Sequence, residues 1–567
     1  MTFKKTISLL GLFLVISFIY TLPMLRLTSP HFQLLQGDDL AFHFMRTFSM
    51  TDQLKEIGYP TGVGNFSPFQ YAYGVNLFYP YETTVLPLAL LTMAVGKIFK
   101  GYYLYVLLLT FLTLLSAYYG MRYFLKLQLL PLSDKGMKIA PFIFAVVYSF
   151  SQYRLVNIFM RTALGEGAAF VFLPLIMAGF FSLFFDQGKK KSWLIFGMAG
   201  LIYTHFVSSL LVVLFLVICL LLLIPKWSVT VWKQLIFSGA MAALLSAFCL
   251  VPMLEQMQHL DITGAYQASL VEGAQMTGSL AYLFSFVSPE KYSYYTVGIF
   301  ILIPYLGSLL LFFLPGKKNL FRNKFGFLLL IMTGLLIFMT TNVFPWDYLE
   351  GSFIQIIQFP FRLNLLATLL GAVCGSLFFA EVLTAFSKHS GLLITVSLLL
   401  YLATPLVVSQ YLTSQKIMEK YTTATDLQKD GYYNEVSLSM FDYLPKIADP
   451  YEYLNKQGKI NQEKTTIDYT MTGNRAKVNT EKIVANSAVE LPLAGYKGVT
   501  VKDSDGKDLS FKVAKNGKIR LTKFPKDEFV TVIYQATLLY KVSFFVSAAT
   551  LILLPIILKF RNTRGSK

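Results

Sequence analysis

Two adjacent aspartates, Asp38 and Asp39, begin the part of the sequence that is best suited to acid–base chemistry. They stand in GDDLAFHFMR, directly after the first long apolar run, and the pattern predicts a helix over 38–56 that lies at the membrane surface. On such a helix Asp39, His43 and Arg46 share one face at i, i+4 and i+7, while the intervening apolar residues point largely elsewhere. One interpretation is that a carboxylate acts as general base on an acceptor hydroxyl, with a basic group holding a phosphate. The alternative is that the aspartates cap the helix, and one can cap while the other catalyses.

A second candidate pair, Arg161 and Glu166, stands in RTALGEGAAFVFLPL at the border of an apolar run. Ionisable residues at membrane depth are costly, so they generally pair with one another or serve a site. The spacing is compatible with a structural ion pair and also with direct contact to a substrate.

Arg362 and His205 are the remaining candidates. Pro360 tends to interrupt the helix before it, so Arg362 stands where a new membrane helix begins on the outside. Its planar guanidinium suits a lipid-linked phosphate, although an arginine there can equally extend along the helix toward the headgroups. A lone histidine in an apolar helix, such as His205, is more often a packing residue than a substrate contact.

Several catalytic motifs are missing from the sequence. It contains no Walker A loop, no GxSxG, no HExxH and no CxxC, and its five histidines lack metal-ligand spacing. ATP hydrolysis, serine hydrolysis and zinc chemistry therefore have no support. No cofactor is predicted.

The composition is that of a polytopic α-helical membrane protein. Of the 567 residues 55% are hydrophobic and 14% are charged, whereas soluble domains carry roughly 25% charge. The net charge of +18 does not indicate nucleic-acid binding, because the basic residues stand in short clusters between apolar runs, as in cytoplasmic loops.

Membrane-length apolar segments set the predicted architecture of about twelve transmembrane helices. They lie near 6–26, 84–99, 102–125, 139–153, 164–185, 193–224, 235–253, 296–314, 325–341, 361–381, 391–409 and 537–558. Lys4 and Lys5 place the N-terminus in the cytoplasm, and later basic clusters follow the positive-inside rule, so both termini are expected there. Between 84 and 224 the path is open, because 193–224 fits either one tilted helix or a tight pair.

A change in composition divides the chain. Residues 1–409 form the transmembrane catalytic domain, with a first outside loop at 27–83, and 537–567 form the last helix and a cytoplasmic tail. The segment 410–536 between them carries 19 Lys+Arg and 16 Asp+Glu, which indicates a small extracytoplasmic domain. Within it, apolar alternation and the turn dipeptides DG and NG predict antiparallel β structure over roughly 470–535, after helix and loop over 410–465.

The motifs, taken together, resemble those of a known superfamily. GDDLAFHFMR is followed by GYP and by YAYG with LFYP, then by RTALGEGAAFVFLPL, IQFPFRLN and ELPLAGYKGVTV, in that order over nearly the whole chain. The chain thereby resembles the GT-C integral-membrane glycosyltransferases. Within them it is similar to the bacterial YfhO-like proteins and the related group labelled 6-pyruvoyl-tetrahydropterin-synthase-related.

The resemblance implies a glycosyltransferase that takes a sugar from a polyprenyl-phosphate carrier on the outer face of the membrane and passes it on with inversion. Asp38 or Asp39 becomes the candidate base, and Arg362 and Arg161 become candidate ligands of the carrier phosphate. The two aspartates are adjacent and do not form D-x-D, so a divalent metal is possible but unsupported. The implied acceptor is a cell-surface polymer, teichoic acid or wall polysaccharide. An upstream polyprenyl-phosphate glycosyltransferase and a flippase are implied as partners.

Three alternatives stay open. A flippase of lipid-linked saccharides predicts charges inside several membrane helices and broken helices in corresponding halves. A polymerase or ligase of such saccharides is chemically close to a transferase. A scaffold for wall synthesis predicts that both aspartates are dispensable.

Overall fold

The computed structural model is mostly helical, with a β region near the C-terminus. It describes residues 3–25, 39–66, 71–264, 269–276, 280–284, 295–314, 320–385, 390–414, 442–447, 449–481, 483–525 and 528–564. The helices of these residues are α1 Phe3–Thr21, α2 Leu40–Glu56, α3 Val85–Val95, α4 Ile98–Lys126, α5 Asp134–Ser149, α6 Gln152–Leu155, α7 Leu164–Ala169, α8 Leu173–Phe185, α9 Lys191–Ile202, α10 Phe206–Leu222, α11 Val229–Leu245, α12 Ala247–His259, α13 Leu270–Gln275, α14 Ile299–Phe313, α15 Lys324–Met339, α16 Asn364–Ala385, α17 Ser390–Ser414, α18 Tyr451–Leu454 and α19 Leu538–Arg564.

Several of these helices are long and apolar enough to cross a membrane. In the described part of the chain four qualify by length and composition, or up to six if each of two bent pairs forms one span. The four are Phe3–Met24, Ile98–Lys126, Pro360–Ala385 and Leu538–Lys559. Further apolar helices of 10–17 residues accompany them, among them α8, α9 and α10. These helices are those of a membrane protein, while the count of twelve and the orientation of the termini stay predictions.

Breaks in the helices divide the part of the chain whose path the sequence left open, while the number of its membrane crossings stays a prediction. The apolar run 193–224 is a pair, α9 and α10, interrupted at Tyr203–His205. The run 164–185 is also two helices, α7 and α8. Helix α11 meets α12 at an angle of 72°. The backbone at these breaks turns inside the protein, which brings polar groups to its interior.

Helix α2 forms where a helix was expected, but it lies in the protein core. His43, Arg46, Thr47 and Gln53 are all at most 2% exposed. The helix thus packs within the protein, and its position at the membrane surface stays a prediction. Its first turn faces other polar groups of the protein.

The C-terminal region contains two antiparallel sheets. Their strands are β3 Gln457–Ile460, β4 Glu463–Thr466, β5 Tyr469–Thr472, β6 Arg475–Asn479, β7 Val489–Ala494, β8 Val499–Lys502, β9 Phe511–Val513, β10 Lys518–Leu521 and β11 Phe529–Tyr534. One sheet has the order β4-β3-β7-β10-β9 and the other β5-β6-β11-β8. Alternate residues of β5, β6 and β11 are buried, which forms the core of the region. The β structure thus begins at Gln457, earlier than the predicted 470.

The first loop packs against this C-terminal region. Its hairpin, β1 Gly64–Phe66 and β2 Tyr71–Tyr73, is almost entirely buried. The amide of Ala72 donates to the Tyr469 hydroxyl at 3.2 Å, and the Tyr73 hydroxyl donates to the carbonyl of Asp442 at 2.6 Å. These contacts fix the C-terminal region over the loop that carries the aspartates.

Candidate functional site

Six of the eight residues singled out in the sequence line one cavity of about 430 Å³, which we name the Asp39 cavity. They come from the start of α2, the α7 region, the turn before α10 and the turn before α16. The six are Asp39, His43, Arg161, Glu166, His205 and Arg362. Asp38 lies outside the described residues.

Asp39 directs its carboxylate to Arg161. It occupies the N-cap position of α2, but its side chain makes no capping hydrogen bond. Its Oδ2 lies 3.4 Å from Nη2 of Arg161, and the side chain is 31% exposed. The Asp39 amide donates to the carbonyl of Arg161 at 3.0 Å, so backbone and side chain both join the two residues. Hydrogen-bond capping by the Asp39 side chain is therefore not observed.

Glu166 lies between the two arginines of the cavity. Its Oε2 accepts from Nη1 of Arg161 at 3.0 Å and from the Tyr153 hydroxyl at 2.6 Å. Its Oε1 accepts from Nε of Arg362 at 2.9 Å. The Glu166 side chain is only 4% exposed, and both of its oxygens accept hydrogen bonds. The ion pair between Glu166 and Arg161 is present, and Arg362 adds a second cation to it.

The arginines are held in place by unusual backbone. A π-helical turn, Val156–Met160, leads into Arg161, and the next residue, Thr162, has a φ of +56°. Gln358, which accepts from Nη1 of Arg362, has a φ of +65°. Left-handed backbone at non-glycine residues costs on the order of 1–3 kcal/mol each and concentrates at functional sites, as π-helical turns also do. The surrounding packing maintains these conformations and thereby fixes the two guanidinium groups.

Aromatic rings surround the two guanidinium groups. Cζ of Arg161 lies 5.0 Å from the ring centroid of Phe361 and 5.6 Å from that of Tyr295. Cζ of Arg362 lies 5.3 Å from the ring of Phe359. Among the described residues, Nε of Arg161 is buried without a hydrogen-bond partner. The cluster therefore retains a donor that an incoming anion can use.

The two histidines have different surroundings. His205 is the N-cap residue of α10, and its Nδ1 accepts from the amide of Ser208 at 3.2 Å. It is thus both a cap and a lining residue of the cavity. His43 is 2% exposed, and burial together with the charge of Arg46 holds its pKa well below 6.5. His43 is therefore a neutral imidazole at pH 7.

Arg46 is buried beside the cavity but does not line it. Its Nε donates to Oδ1 of Asn76, and its Nη2 donates to the carbonyls of Tyr79 and Pro80, each at 3.0 Å. The ring of Tyr79 lies 4.6 Å from its Cζ. Arg46 thus fastens the end of the first loop to α2, a position that does not match the expected contact with substrate.

Several lining residues were not anticipated from the sequence. Tyr79 reaches the cavity from the end of the first loop, and Asp442 and Tyr443 reach it from the segment that precedes the sheets. This segment pairs with the chain after α12, where the Tyr443 amide donates to the carbonyl of Thr263 at 2.7 Å. No local motif marks these residues, because the approach of two segments about 180 positions apart brings them into the cavity.

The arrangement combines carboxylates with fixed cations in a confined space. Asp39, with a carboxylate that is 31% exposed, is suited to accept a proton. Arg161 and Arg362 are suited to bind an anionic group such as a phosphate. Among the described residues no group of three or more His, Cys, Asp or Glu side chains could hold a metal ion.

Comparisons with known proteins yield similarity to solved structures alone. No protein-family model and no curated protein matches the sequence. Among solved structures, the chain is similar to the arabinofuranosyltransferase AftD from mycobacteria, determined by single-particle cryo-electron microscopy, with a TM-score of 0.42 and 14% identity. The alignment covers 73% of this chain and 27% of AftD, so the chain spans about a quarter of the length of that protein. A similarity of this degree establishes neither a shared fold nor a shared activity.

Proposed function

We propose that this protein is a GT-C type glycosyltransferase that moves a sugar from a polyprenyl-phosphate carrier to a cell-surface polymer, teichoic acid or wall polysaccharide. The supporting observation is the meeting of one part-exposed carboxylate, Asp39, with two guanidinium groups, Arg161 and Arg362, in one cavity. The motif resemblance of the sequence supports the same reaction. The reaction takes place on the outer face of a membrane that the chain crosses several times, with both termini in the cytoplasm.

In the proposed reaction the acceptor hydroxyl attacks the anomeric carbon of the sugar. Its proton passes to the carboxylate of Asp39, and the bond between the anomeric carbon and the carrier phosphate breaks with inversion. The phosphate leaves with the bonding electron pair and is stabilised by Arg161 and Arg362. Glu166 is a positioning residue, since both of its oxygens already bind Arg161, Arg362 and Tyr153.

From the ion pair between Asp39 and Arg161 we infer that binding of the donor phosphate activates the base. At 3.4 Å it is longer than the contacts of Glu166 with Arg161 and Arg362, at 3.0 and 2.9 Å. A phosphate that binds Arg161 would therefore displace Asp39 before it displaces Glu166. Release from the cation raises the basicity of the carboxylate when the donor is bound.

The C-terminal region covers the cavity in this proposal. It contributes Asp442 and Tyr443 to the lining, and Tyr443 stacks on Phe78 with ring centroids 5.6 Å apart. Its role would be to position the acceptor. Deletion of 410–536 without loss of transfer would contradict that role.

The test compares the sugar decoration of surface polymers by mass spectrometry in cells that express the unmodified chain or a variant at matched membrane levels. Asp39→Asn should reduce decoration by about a hundredfold or more, because it removes the base with little change of shape. Asp52→Asn is the matched control, since it lies on the same helix and does not line the Asp39 cavity.

Asp38→Asn and Asp442→Asn complete the comparison. Loss of decoration in one of these, with Asp39→Asn active, would assign the base to that residue and overturn the assignment to Asp39. Normal decoration in all three variants would contradict the transferase mechanism and favour a transport or scaffold role.

A further inference from the structure

A second cavity, larger than the first, lies against the C-terminal region. It has a volume of about 700 Å³, and we name it the Glu82 cavity. Its walls come from the chain after α2, from α12, from the start of α19 and from the adjoining ends of the inner strands β6 and β11. None of the eight candidate residues of the sequence lines it.

One short segment separates the two cavities. Tyr79 lines the Asp39 cavity, whereas Tyr81 and Glu82 line the Glu82 cavity. A narrow gap of about 10 Å³ is lined by all three of these residues and thus lies inside the partition. Arg46 holds the partition through the carbonyls of Tyr79 and Pro80. A ligand in the Glu82 cavity therefore lies one segment away from Asp39.

The acidic and the basic side chains of the Glu82 cavity come from different parts of the chain. The carboxylates of Glu82 and Glu255 come from the first loop and α12, and Oε2 of Glu255 accepts from the Thr537 hydroxyl at 2.6 Å. Exposed cations come from the C-terminal region and the last helix, namely Arg475, Lys497 and Lys541. Carboxylates bind hydroxyl groups as acceptors, and cations bind phosphate or carboxylate groups.

Aromatic side chains complete the walls of this cavity. Tyr59 is 56% exposed at its rim, and the Tyr81 and Tyr540 hydroxyls lie 3.2 Å apart within it. Phe248 packs on Tyr540 with ring centroids 5.1 Å apart. Flat rings beside hydrogen-bonding groups suit the apolar faces of sugar or polyol units.

We propose that the Glu82 cavity binds the acceptor, a polyhydroxylated chain that carries anionic groups. This inference rests on the proposed function, which requires a second substrate close to Asp39. The exposed cations receive the anionic groups, while the carboxylates of Glu82 and Glu255 accept hydrogen bonds from hydroxyls. A phospholipid headgroup also satisfies the cations, and a nanodisc of anionic lipid distinguishes it from the polymer.

The test measures binding to the full-length chain in nanodiscs made of a neutral lipid. The probes are a synthetic glycerol-phosphate hexamer and, as an uncharged counterpart, maltohexaose. Arg475→Gln combined with Lys497→Gln should weaken binding of the hexamer by about tenfold or more, because two charge-assisted contacts are lost. Lys512→Gln combined with Arg520→Gln is the matched control, since these cations pair across β9 and β10 outside both cavities and should leave binding unchanged.

Three results in the neutral nanodiscs would overturn the proposal. They are equal binding in the two double variants, equal binding of maltohexaose and the charged hexamer, and no binding of the hexamer to the unmodified chain. A phosphatidylglycerol nanodisc that abolishes hexamer binding would also overturn it and assign the cavity to a lipid.

Binding is measured without turnover, so its outcome is separate from that of the transfer reaction. If Asp38→Asn, Asp39→Asn and Asp442→Asn all decorate normally while hexamer binding behaves as expected, only the proposed function fails. If Asp39 is essential and the Arg475/Lys497 variant binds normally, only the inference on the Glu82 cavity fails.

Discussion

Glu166 and Glu82 are carboxyls on neighbouring segments of the protein that have very different partners. Glu166 binds two guanidinium groups and a phenol. Glu82 makes no ion pair among the described residues and accepts a hydrogen bond from the Tyr81 amide at 3.0 Å. A buried charge is stable when it is paired, and a carboxyl without a partner cation tends to take up a proton. The same residue type is therefore a fixed anion in one place and a titrating group in the other.

We expect the stability of the protein to fall between pH 5 and pH 8 because of Glu82. Burial raises the pKa of this carboxyl from 4.5 to about 7 in the folded protein. Its protonated form therefore adds stability that is complete below pH 4.5 and is lost as the pH rises through about 7. The melting temperature in detergent, compared with that of Glu82→Gln, measures this loss, because the glutamine cannot ionise.

The expected result is that Glu82→Gln loses less stability than the unmodified chain as the pH rises from 5 to 8. Glu56→Gln, an exposed position at the end of α2, is the control and should follow the unmodified chain. Parallel pH profiles of Glu82→Gln and the unmodified chain would contradict the assignment.

At the scale of elements, the short helix α7 and the break before α10 approach each other closely. Gly165 in α7 makes this contact, since a Cβ there would lie 2.9 Å from Cδ2 of His205 and 3.1 Å from the carbonyl of Thr204. The same Cβ would lie 3.1 Å from the Tyr79 hydroxyl. The close packing of three elements that line the Asp39 cavity therefore requires glycine at position 165.

Gly165→Ala should reduce sugar decoration by roughly tenfold or more, because the methyl group displaces His205 and Tyr79 and small misplacements at a reaction site are costly. The measurement is decoration at matched expression, together with the melting temperature. Gly239→Ala is the control, since nothing lies within 4 Å of a Cβ at that position in α11. Unchanged decoration in Gly165→Ala would show that the contact does not position the site.

At the scale of the whole molecule, two hydrogen bonds between the Gln256 side chain and the Lys497 backbone join the helical part to the C-terminal region. Nε2 of Gln256 donates to the carbonyl of Lys497 at 3.0 Å, and Oε1 accepts from the Lys497 amide at 2.8 Å. Gln256 is 2% exposed, whereas Lys497 is exposed at the surface. Both residues line the Glu82 cavity, so the contact joins two of its walls.

Gln256→Ala should loosen the C-terminal region without unfolding the helices. Leaving buried backbone groups without partners costs about 1–3 kcal/mol, which corresponds to amide exchange at Lys497 about tenfold faster or more. Hydrogen–deuterium exchange with mass spectrometry measures this change. Gln234→Ala, which loses a hydrogen bond to the Gln187 carbonyl far from the sheets, should leave exchange at Lys497 unchanged. Equal exchange in both variants would contradict the role of Gln256.

The helical part shows how far periodicity and turn residues predict structure. The run 102–125 lies within α4, and 296–314 matches α14 closely, because continuous apolar sequence favours helix in a membrane. Asn516 and Gly517 form the turn between β9 and β10, with a φ of +76° at Gly517. The earlier turn between β3 and β4 has positive φ at Asn461 and Gln462. It was missed because glutamine is not a typical residue for that conformation.

The sequence alone determined the class of protein, most of the helical segments and the residue types from which a site could be built. These properties are local, since apolar runs, helix breaks and charged side chains at their borders can be recognised one segment at a time. Only the tertiary structure decided which candidates meet. It brought together Asp39, Arg161, Glu166 and Arg362, which are spread over more than 300 positions of the sequence. It also placed Arg46 outside their cavity. Such contacts arise from packing between distant segments, on which no single stretch of sequence carries information.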